Sequence, residues 1–163
     1  MTVLPSDAVR QTLLRAIQIE SRNSELYESL ALIFEGYEDS VRQTFREMAE
    51  EERQHGTDLK ERYRAKFGPV PLLTGEPKEV IEAPDLEDAE ALIFDSMTLA
   101  EALRVGLHAE EAARDFYRRE MLHTSDPELR GVYQELGEFE ETHVRVLQDK
   151  LAGRNAIGSS SAR

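Results

Sequence analysis

The sequence predicts an all-α protein: a four-helix bundle built from two antiparallel helix hairpins joined by a long crossover. Three observations predict it. Four stretches carry apolar residues at alternating steps of three and four, the repeat of a helix with one buried face. The connection between the second and third stretches is long and rich in Pro and Gly, while the other two are short. The pattern of the first pair of stretches also repeats in the second pair.

Taken in order, the first stripe is Leu13, Ile17, Glu20, Ser24, Tyr27, Ala31 and Phe34. Ser6 or Asp7 after Pro5 can cap this helix, and Gly36 should end it. A turn through Tyr37, Glu38 and Asp39 leads on, with Asp39 or Ser40 as the next cap. The second stripe is Val41, Phe45, Met48, Glu52, His55 and Leu59, then Arg62 or Tyr63. Gly68-Pro69 stops it. So short a link between the two helices implies an antiparallel hairpin.

Residues 68–97 break the pattern with Pro69, Pro71, Pro77 and Pro84, and a short helix over Asp85–Phe94 is expected within them. Thr98-Leu99-Ala100-Glu101 reads as a capping box opening the third helix. Its stripe includes Leu103, Leu107, Glu110, Ala113 or Arg114, Tyr117 and Met121. Asp126 then caps a fourth helix with Pro127 in its first position. That stripe is Leu129, Tyr133, Leu136, Glu140, His143, Leu147 and Leu151, and Gly153 is expected to close it. The expected organisation is one bundle over residues 1–153 and a flexible tail over residues 154–163. A four-helix bundle with one long crossover has ferritin-like topology, whereas up-down bundles use short loops throughout.

Composition narrows the function. The formal net charge is −13, which argues against nucleic acid as a partner. No apolar run approaches the ~18–20 residues of a membrane span, and no secretory signal pattern opens the chain. A cytoplasmic protein that binds neither membrane nor nucleic acid is the expectation. There is no cysteine, so disulfides, Cys-ligated zinc and iron–sulfur sites are excluded. A transition metal must be held by Glu, Asp and His.

Four acidic residues and two histidines sit on the stripes where apolar residues belong: Glu20, Glu52, His55, Glu110, Glu140 and His143. Glu52-Arg53-Gln54-His55 and Glu140-Glu141-Thr142-His143 each put a Glu and a His three apart, hence on one helix face. Glu-x-x-His alone means little in so acidic a chain, because three of the four histidines have a Glu three residues earlier. His123, behind Glu120, lies about 220° around its helix from Glu110 and so faces away. His108, two residues before Glu110, also points away. The two halves correspond: Glu20 and Tyr27 with Glu110 and Tyr117, and Phe45, Met48, Glu52, His55 and Leu59 with Tyr133, Leu136, Glu140, His143 and Leu147.

Four carboxylates in one core repel each other and need positive charge at the centre. Two divalent ions supply it, and such pairs sit roughly 3.5–4 Å apart. Carboxylate and imidazole donors suit iron or manganese, with zinc able to occupy the same ligands in a purified sample. Tyr27 and Tyr117, one heptad past Glu20 and Glu110, either hydrogen-bond to ligand carboxylates of the opposite half or pack as core aromatics. Glu50, Glu51, Glu138 and Glu141 read as solvated helix-face charges. On the residues alone, a metal-stabilised bundle without catalysis remains an alternative.

At these positions the sequence resembles the rubrerythrin branch of the ferritin-like di-iron family. The resemblance rests on Ile19-Glu20-Ser21-Arg22-Asn23 with Tyr27, on Met48-Ala49-Glu50-Glu51-Glu52-Arg53-Gln54-His55, and on the six-ligand pattern, and covers roughly residues 8–152. It implies two iron ions per chain and an oxidoreductase that reduces peroxide or dioxygen, with iron oxidation for storage or detoxification as the alternative. It also suggests a homodimer. Full rubrerythrins add a rubredoxin domain with four Cys ligands. Its absence here implies an external electron donor. Rubrerythrins also carry an extra Glu one turn after the third-helix ligand, which takes part in a redox-linked ligand exchange. The matching residue here is Ala113.

Overall fold

The computed structural model describes residues 5–36, 39–73 and 97–160, with side chains at 7–36, 40–73 and 97–153. Four helices account for nearly all of these: α1 (Pro5–Ile33), α2 (Asp39–Phe67), α3 (Leu99–His123) and α4 (Pro127–Ser160). They fall into two compact units. One holds α1 and α2 with residues 123–126; the other holds α3 and α4.

In the first unit, paired contacts run in opposite directions along α1 and α2. Arg10 Nε donates to Tyr63 Oη at 2.9 Å, Glu20 meets His55, Ser24 Oγ donates to the Ala49 carbonyl at 3.1 Å, and Tyr27 stacks on Phe45. This is the antiparallel hairpin that the short link implied. The link works because Gly36 adopts φ +91, the left-handed conformation that releases the chain from a helix at little steric cost. Gly68 does the same at φ +86, one residue past α2, while its N–H still bonds to the Arg64 carbonyl at 3.0 Å. A Cβ at either glycine would meet nothing within 4 Å, so backbone conformation rather than space demands glycine. Arg64 and Lys66 in the last turn of α2 complement the negative end of its dipole.

The second unit repeats the scheme. Tyr117 stacks on Tyr133, Glu110 meets His143, and Arg114 and Arg118 meet Glu141. The predicted capping box opens α3. The Thr98 N–H donates to Glu101 Oε2 at 2.7 Å, and the Glu101 N–H donates back to Thr98 Oγ1 at 3.2 Å. The Thr98 N–H and the Thr98 hydroxyl, which donates to the same Oε2 at 2.9 Å, hold the Glu101 carboxyl below its ordinary pKa. α4 begins at Pro127, in the first helical position expected for it.

Each stripe lies mainly on the buried face of its helix, with Leu107, Met121 and Leu151 only partly enclosed. Leu13, Ile17, Leu30, Phe45, Leu103 and Leu147 are fully enclosed, as are Tyr27, Tyr63 and Tyr117. At the end of the second stripe Tyr63 faces inward and Arg62 is exposed. The expected stop at Gly153 is not where α4 ends: the backbone stays helical to Ser160. Gly153 lacks the positive φ that Gly36 and Gly68 use, and Ala152 and Ala156 around it favour helix. The expected short helix over residues 85–94 lies outside the described residues. No described helix is long and apolar enough to cross a membrane.

Candidate metal centre

Each unit buries a Glu–Glu–His cluster. In the first, Glu20 on α1 and Glu52 on α2 are wholly enclosed, and the His55 side chain is 11% exposed. In the second, Glu110 on α3 and Glu140 on α4 are wholly enclosed and His143 is 4% exposed. The stripes explain the placement. A hairpin that buries Ile17, Tyr27, Phe45 and Leu59 must also bury the residues between them on the same faces.

The geometry of the clusters repeats closely. His55 Nδ1 lies 3.3 Å from Glu20 Oε2, and His143 Nδ1 lies 3.2 Å from Glu110 Oε2. His143 Nδ1 is also 3.7 Å from Glu140 Oε2, within its own Glu-x-x-His turn. In each cluster the three residues can offer ligand atoms within 4.8 Å of one another. Ligand atoms that close are within reach of a single ion bonded at about 2.0–2.2 Å to each, after small side-chain adjustments. With neutral imidazoles each cluster carries a formal charge of −2, which one divalent ion balances. The donor set fits iron, manganese or zinc.

The remaining sequence-predicted residues divide as follows. Tyr27 and Tyr117 are both fully buried, in matched stacks: Tyr27–Phe45 with centroids 6.0 Å apart and Tyr117–Tyr133 with centroids 6.2 Å apart, both at 22°. Core packing is thus part of their role. His108 and His123 are exposed, as the helical angle required. Ala113 is buried one turn after Glu110. Glu50, Glu51 and Glu138 are exposed charges.

Glu141 differs. It is half-buried at the hub of three arginines, with Arg118 Nη2 at 2.9 Å, Arg114 Nη1 at 3.3 Å and Arg145 Nε at 3.4 Å. Burial raises its pKa, but Arg114, Arg118 and Arg145 outweigh burial and hold the carboxyl below its ordinary value. Burial likewise lowers Arg114, while Asp115, Glu141 and Glu111 together raise it. The hub locks α3 to α4 beside Glu140. The sequence could not show it, because Arg114 and Arg118 converge on Glu141 only across the hairpin.

Two further residues escaped sequence reasoning. Gly56 packs against the stem of Glu20: a Cβ there would meet Glu20 Cβ at 3.4 Å. Asn23, one turn after Glu20, is 2% exposed. The internal repeat could have flagged Asn23, since it matches Ala113.

The fold is an all-α, ferritin-like bundle, and its buried carboxylate–imidazole clusters are groups that could hold a metal. The chain belongs to the rubrerythrin family, whose model matches residues 11–151. An uncharacterised conserved protein from Magnetospirillum magnetotacticum has a similar structure, with a TM-score of 0.70 at 25% identity, covering 87% of this chain and 92% of that one. A hypothetical protein from Pyrococcus furiosus is also similar in fold, with a TM-score of 0.67 at 21% identity, covering 88% of this chain and 87% of the other. No curated protein matches the sequence.

Proposed function

We propose that the chain binds two iron ions, one on Glu20, Glu52 and His55 and one on Glu110, Glu140 and His143, and acts as an oxidoreductase toward peroxide or dioxygen. The observation that carries this reading is the matched pair of buried clusters, each with a His Nδ1 facing the Glu of the preceding helix at 3.2–3.3 Å. Membership of the rubrerythrin family supports iron as the metal. Iron would supply the electron transfer to the oxidant; the protein fixes the ligands and keeps water away.

The residues' part can be derived. Glu20 and Glu110 each face a histidine in the neighbouring helix, so cation binding at Nδ1 requires the neutral imidazole with that nitrogen deprotonated. In the metal-free cluster a proton on Nδ1 would point at the carboxylate oxygen 3.2–3.3 Å away, so the same carboxylate that would help hold the ion also orients the imidazole. Ser24 ties α1 to the α2 backbone at Ala49, one turn before Glu52, and so fixes the register between Glu20 and Glu52. The Glu141 hub does the same for α3 and α4 beside Glu140. These residues hold no cysteine for a sulfur-ligated redox centre, so the electrons come from outside the bundle.

Ala113 favours a second reading, oxidation of ferrous iron by dioxygen for storage or detoxification. An alkyl group stands where rubrerythrins carry the extra Glu, so no carboxylate is present there to exchange. The test of both readings is anaerobic reconstitution with ferrous iron, elemental analysis, then stopped-flow mixing with peroxide and with dioxygen separately. Two irons per chain and oxidation by at least one oxidant are expected. Glu52→Ala with His55→Ala should leave one iron or fewer. Wild-type protein with no iron above background would end the metal reading.

A further inference from the structure

Asn23 is buried to 2% exposure, and its side-chain Nδ2 donates to nothing among the described residues. Buried amide donors are nearly always paired, and leaving one unpaired costs about as much as losing a hydrogen bond. Packing does not demand the amide. The internal repeat that equates Glu20 with Glu110 equates Asn23 with Ala113, and Ala113 fills its place at 1% exposure with a methyl group. The α3–α4 hairpin is therefore built around the same position without any polar atom there.

The location suggests what the amide is for. Asn23 lies about 4.5 Å along α1 from Glu20 and about 60° around it. Helical side chains lean toward the N-terminus, so Asn23 covers the turn that carries Glu20. Ser24, the next residue, is committed to α2 through the Ala49 carbonyl. Gly56 of α2 packs against the Glu20 stem, with a Cβ there meeting Glu20 Cβ at 3.4 Å. An unpaired donor thus stands one turn from a buried carboxylate–imidazole cluster.

We propose that Asn23 is a positioning residue for a small anionic ligand taken up at the metal-loaded Glu20–Glu52–His55 cluster, with Nδ2 as its hydrogen-bond donor. This rests on the metal reading above. Such a donor orients an oxygen or nitrogen ligand at one half of the molecule only, because Ala113 gives the other half no counterpart. The two clusters, alike in their ligands, then differ in how they hold an incoming anion.

The test uses azide as the probe and full-length protein loaded with iron and oxidised. Elemental analysis comes first: a wild-type chain without iron refutes the metal reading, and this inference with it. With iron in place, azide is titrated optically into wild type, Asn23→Leu and Asn23→Ala. Loss of one hydrogen bond to a charged ligand should weaken azide binding by about tenfold or more, with iron content unchanged. The metal-free Asn23→Leu protein should melt at or above the wild-type temperature, since it loses an unpaired amide and keeps the volume. Equal azide affinity in loaded wild type and variants would overturn the proposal. So would a fall in the metal-free melting temperature or in iron content for both variants, which would make Asn23 a structural residue.

Discussion

Replacing Glu52 by Leu should stabilise the metal-free protein and weaken the loaded one. Glu52 is fully enclosed in the same cluster as Glu20, whose carboxylate is also fully enclosed. Without a cation, two buried carboxylates repel and each has lost its hydration. Exchanging buried charges for apolar groups of similar volume commonly gains about 1–4 kcal/mol. A chain of this size gains about 2–4 °C in Tm per kcal/mol, so the metal-free variant should melt several degrees higher. Metal reverses the order. An ion present at 100 times its Kd stabilises the wild type by about 2.7 kcal/mol, or roughly 5–11 °C. Glu52→Leu removes a ligand, so much of that increment should vanish. The assay is a pair of thermal melts for each protein by circular dichroism, one with chelator and one with ferrous iron under anaerobic conditions. A metal-free variant that melts below metal-free wild type would refute the reasoning: Glu52 would then belong to a satisfied structural network rather than a cation site.

Ala113→Glu should shift the ratio of oxidation rates toward peroxide, by placing a carboxylate one turn from Glu110; an unchanged ratio in a stable, fully loaded variant would show that residue 113 does not set oxidant preference. Gly56→Ala should raise the melting temperature by up to the ~1 kcal/mol by which alanine exceeds glycine in a helix, because its methyl meets Glu20 Cβ at ordinary contact distance; a fall in melting temperature would mean that the contact is overpacked. Glu141 has a lowered folded-state pKa, so its stabilisation is full above the ordinary carboxylate value of 4.5 and disappears as pH falls through the lower folded value. Glu141→Gln should therefore flatten the loss of stability below about pH 4.5 and leave a less stable protein at neutral pH, as read by melts across pH; an unaltered acid limb would remove the arginine hub from the account.

The six candidate ligands were legible in the sequence because helical periodicity is local. Glu20, Glu52, Glu110 and Glu140 occupy stripe positions whose neighbours Ile17, Leu59, Leu103 and Leu147 have to be buried, and a charge in such a register is buried with them. The ends were legible for the same reason: Gly36 and Gly68 supply φ values that other residues avoid, and Thr98 with Glu101 is a cap written within four residues. Gly153 shows the limit of that logic, since glycine permits a stop without imposing one, and α4 runs on.

What only the tertiary structure decided depends on distances between helices. Periodicity placed Glu141 on an outer face, but the approach of α3 to α4 brings Arg114 and Arg118 onto it and makes it a half-buried hub. It placed Asn23 nowhere in particular. In the structure its amide is enclosed with Nδ2 unpaired, while Ser24 beside it reaches the Ala49 carbonyl of α2. Whether a polar group is satisfied is a property of what lies within about 3 Å of it, and for these side chains those neighbours come from a different helix, dozens of residues away in the chain.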